Sequence, residues 1–125
     1  MKNVIITGSS RGIGFELVKL FNQNNFNVVA LSRNTKPISN LKLKNVKSLY
    51  LDISSSESIN KTKKLVIEGF KKIDILINNA GINKISSIDK LNINDVRNIL
   101  YINLEIPTLI SSIVSKNMIK KKLEK

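Results

Sequence analysis

The sequence predicts an α/β fold, a parallel sheet covered by helices on both faces. Two observations carry this: short β-branched runs alternate with segments of helical period, which implies right-handed βαβ units, and a glycine-containing turn joins the first run to the first helical segment. No internal repeat or low-complexity stretch competes with that pattern.

The elements follow in chain order. Val4-Ile5-Ile6 is a strand that stops at Thr7-Gly8, and Leu17, Val18, Leu20 and Phe21 then recur at helical spacing. Asn24-Asn25 ends this helix, because Asn tolerates the left-handed conformation of a C-terminal cap. Val28-Val29-Ala30-Leu31 is a second strand and ends in Ser32-Arg33-Asn34. The polar, basic stretch 34–45, with Pro37 inside it, reads as a loop or one poor helical turn. Val46 to Leu51 is a third strand ending at Asp52, and Ser54-Ser55-Ser56-Glu57 supplies the capping residues of a helix that runs to about Phe70. Ile73 to Ile77 is a fourth strand, closing on Asn78-Asn79-Ala80-Gly81. After a loop through Asn94, a long helix is expected from Asp95 to about Met118, broken or bent near Pro107, before the basic end Lys120-Lys121-Lys122-Leu123-Glu124-Lys125.

Composition narrows the chemistry. With 42% apolar and 24% charged residues, the 125-residue chain reads as one globular domain. It has no Cys, which excludes a disulfide framework, a thiolate nucleophile and Cys-ligated metal; it has no His, which excludes a Ser-His-Asp triad and His-ligated metal. No metal site is expected, and any reaction must run on Asn, Ser, Tyr, Lys, Asp, Glu or a bound cofactor. The net charge of +12 would suit a polyanion, yet 18 Lys against 3 Arg, with 20 Ile and 17 Asn, fits A/T-rich coding equally well. The charge is also diffuse, and Tyr and Phe are not interleaved with it as a base-stacking surface requires, so nucleic acid is not an expected partner. Nor is a membrane: no apolar run approaches the length of a span, the first residues hold no secretory h-region, and the cytoplasm is the default compartment.

The segment Thr7-Gly8-Ser9-Ser10-Arg11-Gly12-Ile13-Gly14 carries the most chemistry. Gly8 permits a sharp exit from the strand, Gly12 lets backbone approach a pyrophosphate, and Gly14 lets the helix pack closely on the sheet. The helix N-terminus then offers free N–H groups to the anion. A glycine-rich turn without ligand is the plain alternative, and context decides between them.

The spacing Gly-x-x-x-Gly-x-Gly after a strand-ending Thr resembles the short-chain dehydrogenase/reductase family. The resemblance recurs in register: Asp52-Ile53-Ser54 is similar to the family's acidic residue after the third strand, Asn78-Asn79-Ala80-Gly81 to its Asn-Asn-Ala-Gly after the fourth, and Asn103 to its helix asparagine. Each alone has a structural reading, Asp52 as a helix-flanking carboxylate, Asn79 as a turn residue and Asn103 as a solvated helix position. Together they imply a Rossmann-like doubly wound sheet of order 3-2-1-4, with residues 1–125 forming a partial NAD(P)-binding domain that lacks the C-terminal catalytic half. The implied cofactor-binding residues are Gly8, Ser10, Arg11, Gly12, Ile13, Gly14, Arg33, Asp52, Ile53, Asn79, Ala80 and Gly81. Asn103 is the one member of the family's catalytic tetrad present.

The resemblance also sets the expected cofactor. An NAD-specific site places an acid at the end of the second strand, where Ser32-Arg33-Asn34 has none; Arg33, with Arg11, suits a 2′-phosphate and favours NADP(H) over NAD(H). The family's reaction, hydride transfer between nicotinamide and a carbonyl or alcohol carbon, needs a serine and Tyr-x-x-x-Lys. Here Ser54 follows Tyr50 by four residues and Glu105 follows Tyr101, so the motif is absent and the chain alone is expected to be inactive. Without a fifth strand, residues 73–77 form an exposed sheet edge. The helix bearing Ile99, Leu100, Ile102, Ile106, Leu109, Ile110, Ile113 and Val114 is apolar over too wide an arc for one-sided burial, so a complementary C-terminal half or a homo-oligomer through the 95–118 helix is an expected partner. A non-catalytic dinucleotide-binding or protein-interaction module is the alternative.

Overall fold

The computed structural model describes residues 1–123; Glu124 and Lys125 of the basic end lie outside the described residues. The four β-branched runs form β1 (Asn3–Thr7), β2 (Asn27–Ser32), β3 (Val46–Tyr50) and β4 (Ile75–Ile77), all parallel, in the order β3-β2-β1-β4. This is the expected order. Between and after them come α1 (Gly12–Gln23), the short α2 (Lys36–Ser39), α3 (Ser58–Gly69), α4 (Ile93–Leu100) and α5 (Ile106–Leu123), the last two joined by a π-helical turn, Tyr101–Glu105.

Side chains alternate across a strand, so each apolar run feeds two cores. Val4, Ile6, Val28 and Ala30 meet Val18 of α1 and Ile38 of α2 on one face; Ile5, Val29 and Leu31 meet Val66 of α3 and Ile106, Ile110 and Val114 of α5 on the other. Helices therefore cover both faces, as the strand–helix alternation implied.

Four local expectations are corrected. The fourth strand begins at Ile75, because Asp74 turns its carboxylate to accept from the Asn3 N–H (2.8 Å) and Ile73 is drawn to Asn117 of α5, whose Oδ1 accepts from the Ile73 N–H (2.9 Å). The serines at 54–56 do not cap α3: Ser54 is held by Asp52, Ser55 Oγ accepts from the Glu57 N–H, and the helix starts only at Ser58. The long helix starts at Ile93, where Asn92 accepts from the Asn94 N–H (2.8 Å), and its irregularity lies on the N-terminal side of Pro107 as a π turn instead of a break. Because helicity continues through that turn, residues Ile93–Leu123 form a 31-residue stretch with a mean hydropathy of 1.2 in its most apolar window. That is long and apolar enough to cross a membrane by length and composition, where the sequence reading expects no apolar run near the length of a span. Ile102, Ile106, Ile110 and Val114 on it are nonetheless buried against the protein's own core.

Candidate functional site

The chain leaves β1 toward β2 and β3 on one side and returns to β4 on the other. Such a reversal opens a crevice at the carboxyl ends of the strands. A cavity of about 580 Å³ lies there, within the range of small-molecule sites. Its wall takes Thr7, Gly8, Ser10, Arg11 and Gly12 from the end of β1 and the turn after it, Leu31 to Asn34 from the end of β2 and just beyond, Leu51 to Ser54 after β3, Asn79 to Ile82 after β4, and Ile102 from the π turn.

The glycine turn works through three different constraints. Gly8 sits at φ +65°, and a Cβ there would stand 2.7 Å from Ala80 Cα, so both conformation and space demand glycine. Gly12 sits at φ +59° with nothing within 4 Å of a Cβ; its backbone is open to the cavity. Gly14 is buried, and a Cβ on it would collide with the Gly8 carbonyl and Asn79 Nδ2. The first N–H groups of α1 have no intrahelical acceptor, and its N-cap residue, Arg11, makes no side-chain capping bond. This open turn, with an arginine on the wall, suits a phosphate.

Buried Thr7 fixes the opposite wall. Its Oγ1 accepts from the N–H groups of Asn79 (3.1 Å) and Ala80 (3.0 Å), while Asn79 Nδ2 donates to the Gly8 carbonyl (3.0 Å). Farther along, Asn103 grips Ile82 on both backbone groups: the Ile82 N–H donates to Asn103 Oδ1 (2.8 Å), and Asn103 Nδ2 donates to the Ile82 carbonyl (2.7 Å). Asn103 thus holds the wall with its whole amide. Asp52 Oδ1 accepts from the Ser54 hydroxyl (2.6 Å) and the Ser54 N–H (3.0 Å), which hold its carboxyl below the usual range, with a smaller pull from the Arg33 charge.

Of the thirteen site residues read from the sequence, the cavity wall gathers ten: Gly8, Ser10, Arg11, Gly12, Arg33, Asp52, Ile53, Asn79, Ala80 and Gly81. The other three lie off it. Gly14 packs beneath the turn, Ile13 turns its side chain to solvent (73% exposed), and Asn103 acts from behind through Ile82. Sequence reasoning missed Leu31, Ser32, Asn34, Leu51, Ser54, Ile82 and Ile102 as wall residues and Thr7 as the acceptor that fastens the far wall. A strand-ending Thr was the one available signal.

The family model described as short chain dehydrogenase matches residues 2–123. The chain is 38% identical to a 3-oxoacyl-[acyl-carrier-protein] reductase of Buchnera aphidicola subsp. Baizongia pistaciae, over 97% of this chain and 51% of that protein. It is 35% identical to an uncharacterized oxidoreductase of Schizosaccharomyces pombe, over 80% of this chain and 34% of that one. The chain therefore spans about half the length, or less, of these curated relatives. Among solved structures, a 4-hydroxyisoleucine dehydrogenase complexed with NADH superposes with a TM-score of 0.82 at 32% identity, covering 93% of this chain and 49% of that one. A metagenomic short-chain oxidoreductase in complex with NADP shares the fold at a TM-score of 0.87 and 23% identity, covering 97% and 58%. The glycine spacing, the strand order and a match running nearly end to end have one common explanation: the chain belongs to the short-chain dehydrogenase family.

Proposed function

We propose that this chain is the NADP(H)-binding portion of a short-chain oxidoreductase. The observation that carries the reading is the meeting of residues from four separate motifs on one cavity, at the open first turn of α1. When bound, a nicotinamide dinucleotide supplies hydride transfer to or from a carbonyl or alcohol carbon. Gly12 and the free N–H groups of α1 would hold the pyrophosphate, Asp52 and Ile53 would contact the adenine, and Asn79, Ala80 and Gly81 would contact the dinucleotide from the far wall. Arg33 and Arg11 supply guanidinium groups for a 2′-phosphate, and no acid stands at the end of β2 to repel it. Calorimetric titration tests this: NADPH should bind about tenfold or more tighter than NADH, a gap that one charge-assisted pair supports. Equal affinities, or an unchanged preference in Arg33→Asp, would remove the NADP(H) assignment; binding of neither would remove the site.

With no Tyr-x-x-x-Lys, the 125 residues bind and do not turn over. The likeness to a 3-oxoacyl-[acyl-carrier-protein] reductase makes 3-oxoacyl thioesters the first substrates to test with a complementary polypeptide supplying Ser and Tyr-x-x-x-Lys. Reduction by this chain alone would refute the division of labour. A second reading, a non-catalytic binding or docking module, is favoured by the exposed Leu100 (54%) and Leu104 (62%) on the helix and, separately, by the open edge of β4 among the described strands. Failure of any complementary polypeptide to restore reduction, with NADPH binding intact, would favour it.

A further inference from the structure

We infer that Pro107 is a positioning residue for the cavity, acting through the π turn and Asn103. Proline has no N–H, so the Asn103 carbonyl four residues earlier loses its α-helical donor, and the pyrrolidine ring crowds that same carbonyl. The helix answers by widening: over Tyr101–Glu105 the bonding lengthens by one residue, with the Ile106 N–H donating to the Tyr101 carbonyl. One extra residue in a turn rotates the helix before it by about 100° relative to the helix after it. The widened turn sits where two demands meet. Ile106, Ile110 and Val114 remain buried on α5, while Ile102 reaches the cavity wall and Asn103 faces the backbone of Ile82.

That clamp matters because of what it holds. The segment 79–82 forms one wall of the cavity; Thr7 and Gly8 fasten its start, and Asn103 fastens its end. Gly81 lets the amide in, since a Cβ there would lie 3.1 Å from Asn103 Oδ1. Beyond Ile82 the chain is exposed through residue 94, where a surface pair, Lys84 Nζ to Asp95 Oδ2 (2.7 Å), ties it to the helix among the described residues. Without the clamp, the wall has no second anchor of comparable reach.

The inference rests on the cavity being a dinucleotide site, so its test has one readout that does not depend on binding. In Pro107→Ala the helix regains its N–H and closes the π turn, and Asn103 swings off Ile82. Amide exchange at Ile82, followed by NMR, should accelerate about tenfold or more while the melting temperature stays at or above that of the parent chain. NADPH affinity should fall about tenfold in the same variant, as two charge-free anchoring bonds are lost from the wall. Asn103→Ala, which keeps the proline, should show the same exchange and the same affinity loss without the gain in stability. Unchanged Ile82 exchange in Pro107→Ala would overturn the inference, as would faster exchange throughout the chain with a lower melting temperature. Faster Ile82 exchange with undiminished NADPH binding would overturn the link to the cavity. If the parent chain binds no dinucleotide, the functional reading falls, and the exchange comparison still decides whether Pro107 sets the clamp.

Discussion

Gly8 and Gly12 share a left-handed conformation but answer to different neighbours, and substitution separates the two. Gly8→Ala forces a side chain into Ala80 and should cost about 2–4 kcal/mol of stability, read by denaturant unfolding, because strain adds to overlap. Gly12→Ala meets no atoms and should cost only about 1 kcal/mol, yet it fills the face that receives phosphate, so NADPH affinity should fall more than stability does. Asp52 makes a pH prediction. Its carboxyl is lowered chiefly by the Ser54 hydroxyl, so the ionised form stabilises the fold above the ordinary carboxylate range, and that contribution disappears as pH falls through the lowered native value. Asp52→Asn keeps an acceptor for Ser54 and loses the charge; its stability should vary less than the parent's below about pH 5 in chemical denaturation series.

At the scale of elements, α5 shows how a single helix serves two neighbours. Its buried line, Ile106, Ile110 and Val114, closes the core over β1 and α3, while Leu104 and Leu109 around it stay exposed. Ile110→Ala should therefore cost about 2–5 kcal/mol, whereas Leu109→Ser should change stability by about 0.5 kcal/mol or less; urea midpoints distinguish them. The width of the apolar arc was legible from residues 99–114, because helical period shows how many sides a helix must bury. Which side the protein itself covers was not, since that depends on where α3 and the sheet lie. Likewise the proline announced an irregularity, but its form as a π turn at Tyr101–Glu105, with the Ile106 N–H donating to the Tyr101 carbonyl, is visible only in the folded helix.

For the whole molecule, the sheet order leaves β4 paired on one side only among the described residues, and the helix carries a face with Leu100 and Leu104 exposed. An open edge and an exposed apolar face each favour association. Sedimentation velocity should show concentration-dependent self-association of the 125-residue chain, and a Leu100→Ser, Leu104→Ser double variant should reduce it; equal behaviour of the two would show that this face is not the contact. The sequence was sufficient for the fold class and the glycine turn, because glycine geometry and strand–helix alternation are local rules that spacing expresses directly, while the strand order and the other predicted residues now on one cavity wall came from the family resemblance. It could not show that Thr7 fastens residues 79 and 80, that Asn103 spends its amide on Ile82, or that Ile13 faces away. Those depend on pairs more than 20 positions apart in the chain in the case of Asn103 and more than 70 in the case of Thr7, and only the packed sheet brings their atoms within hydrogen-bonding reach.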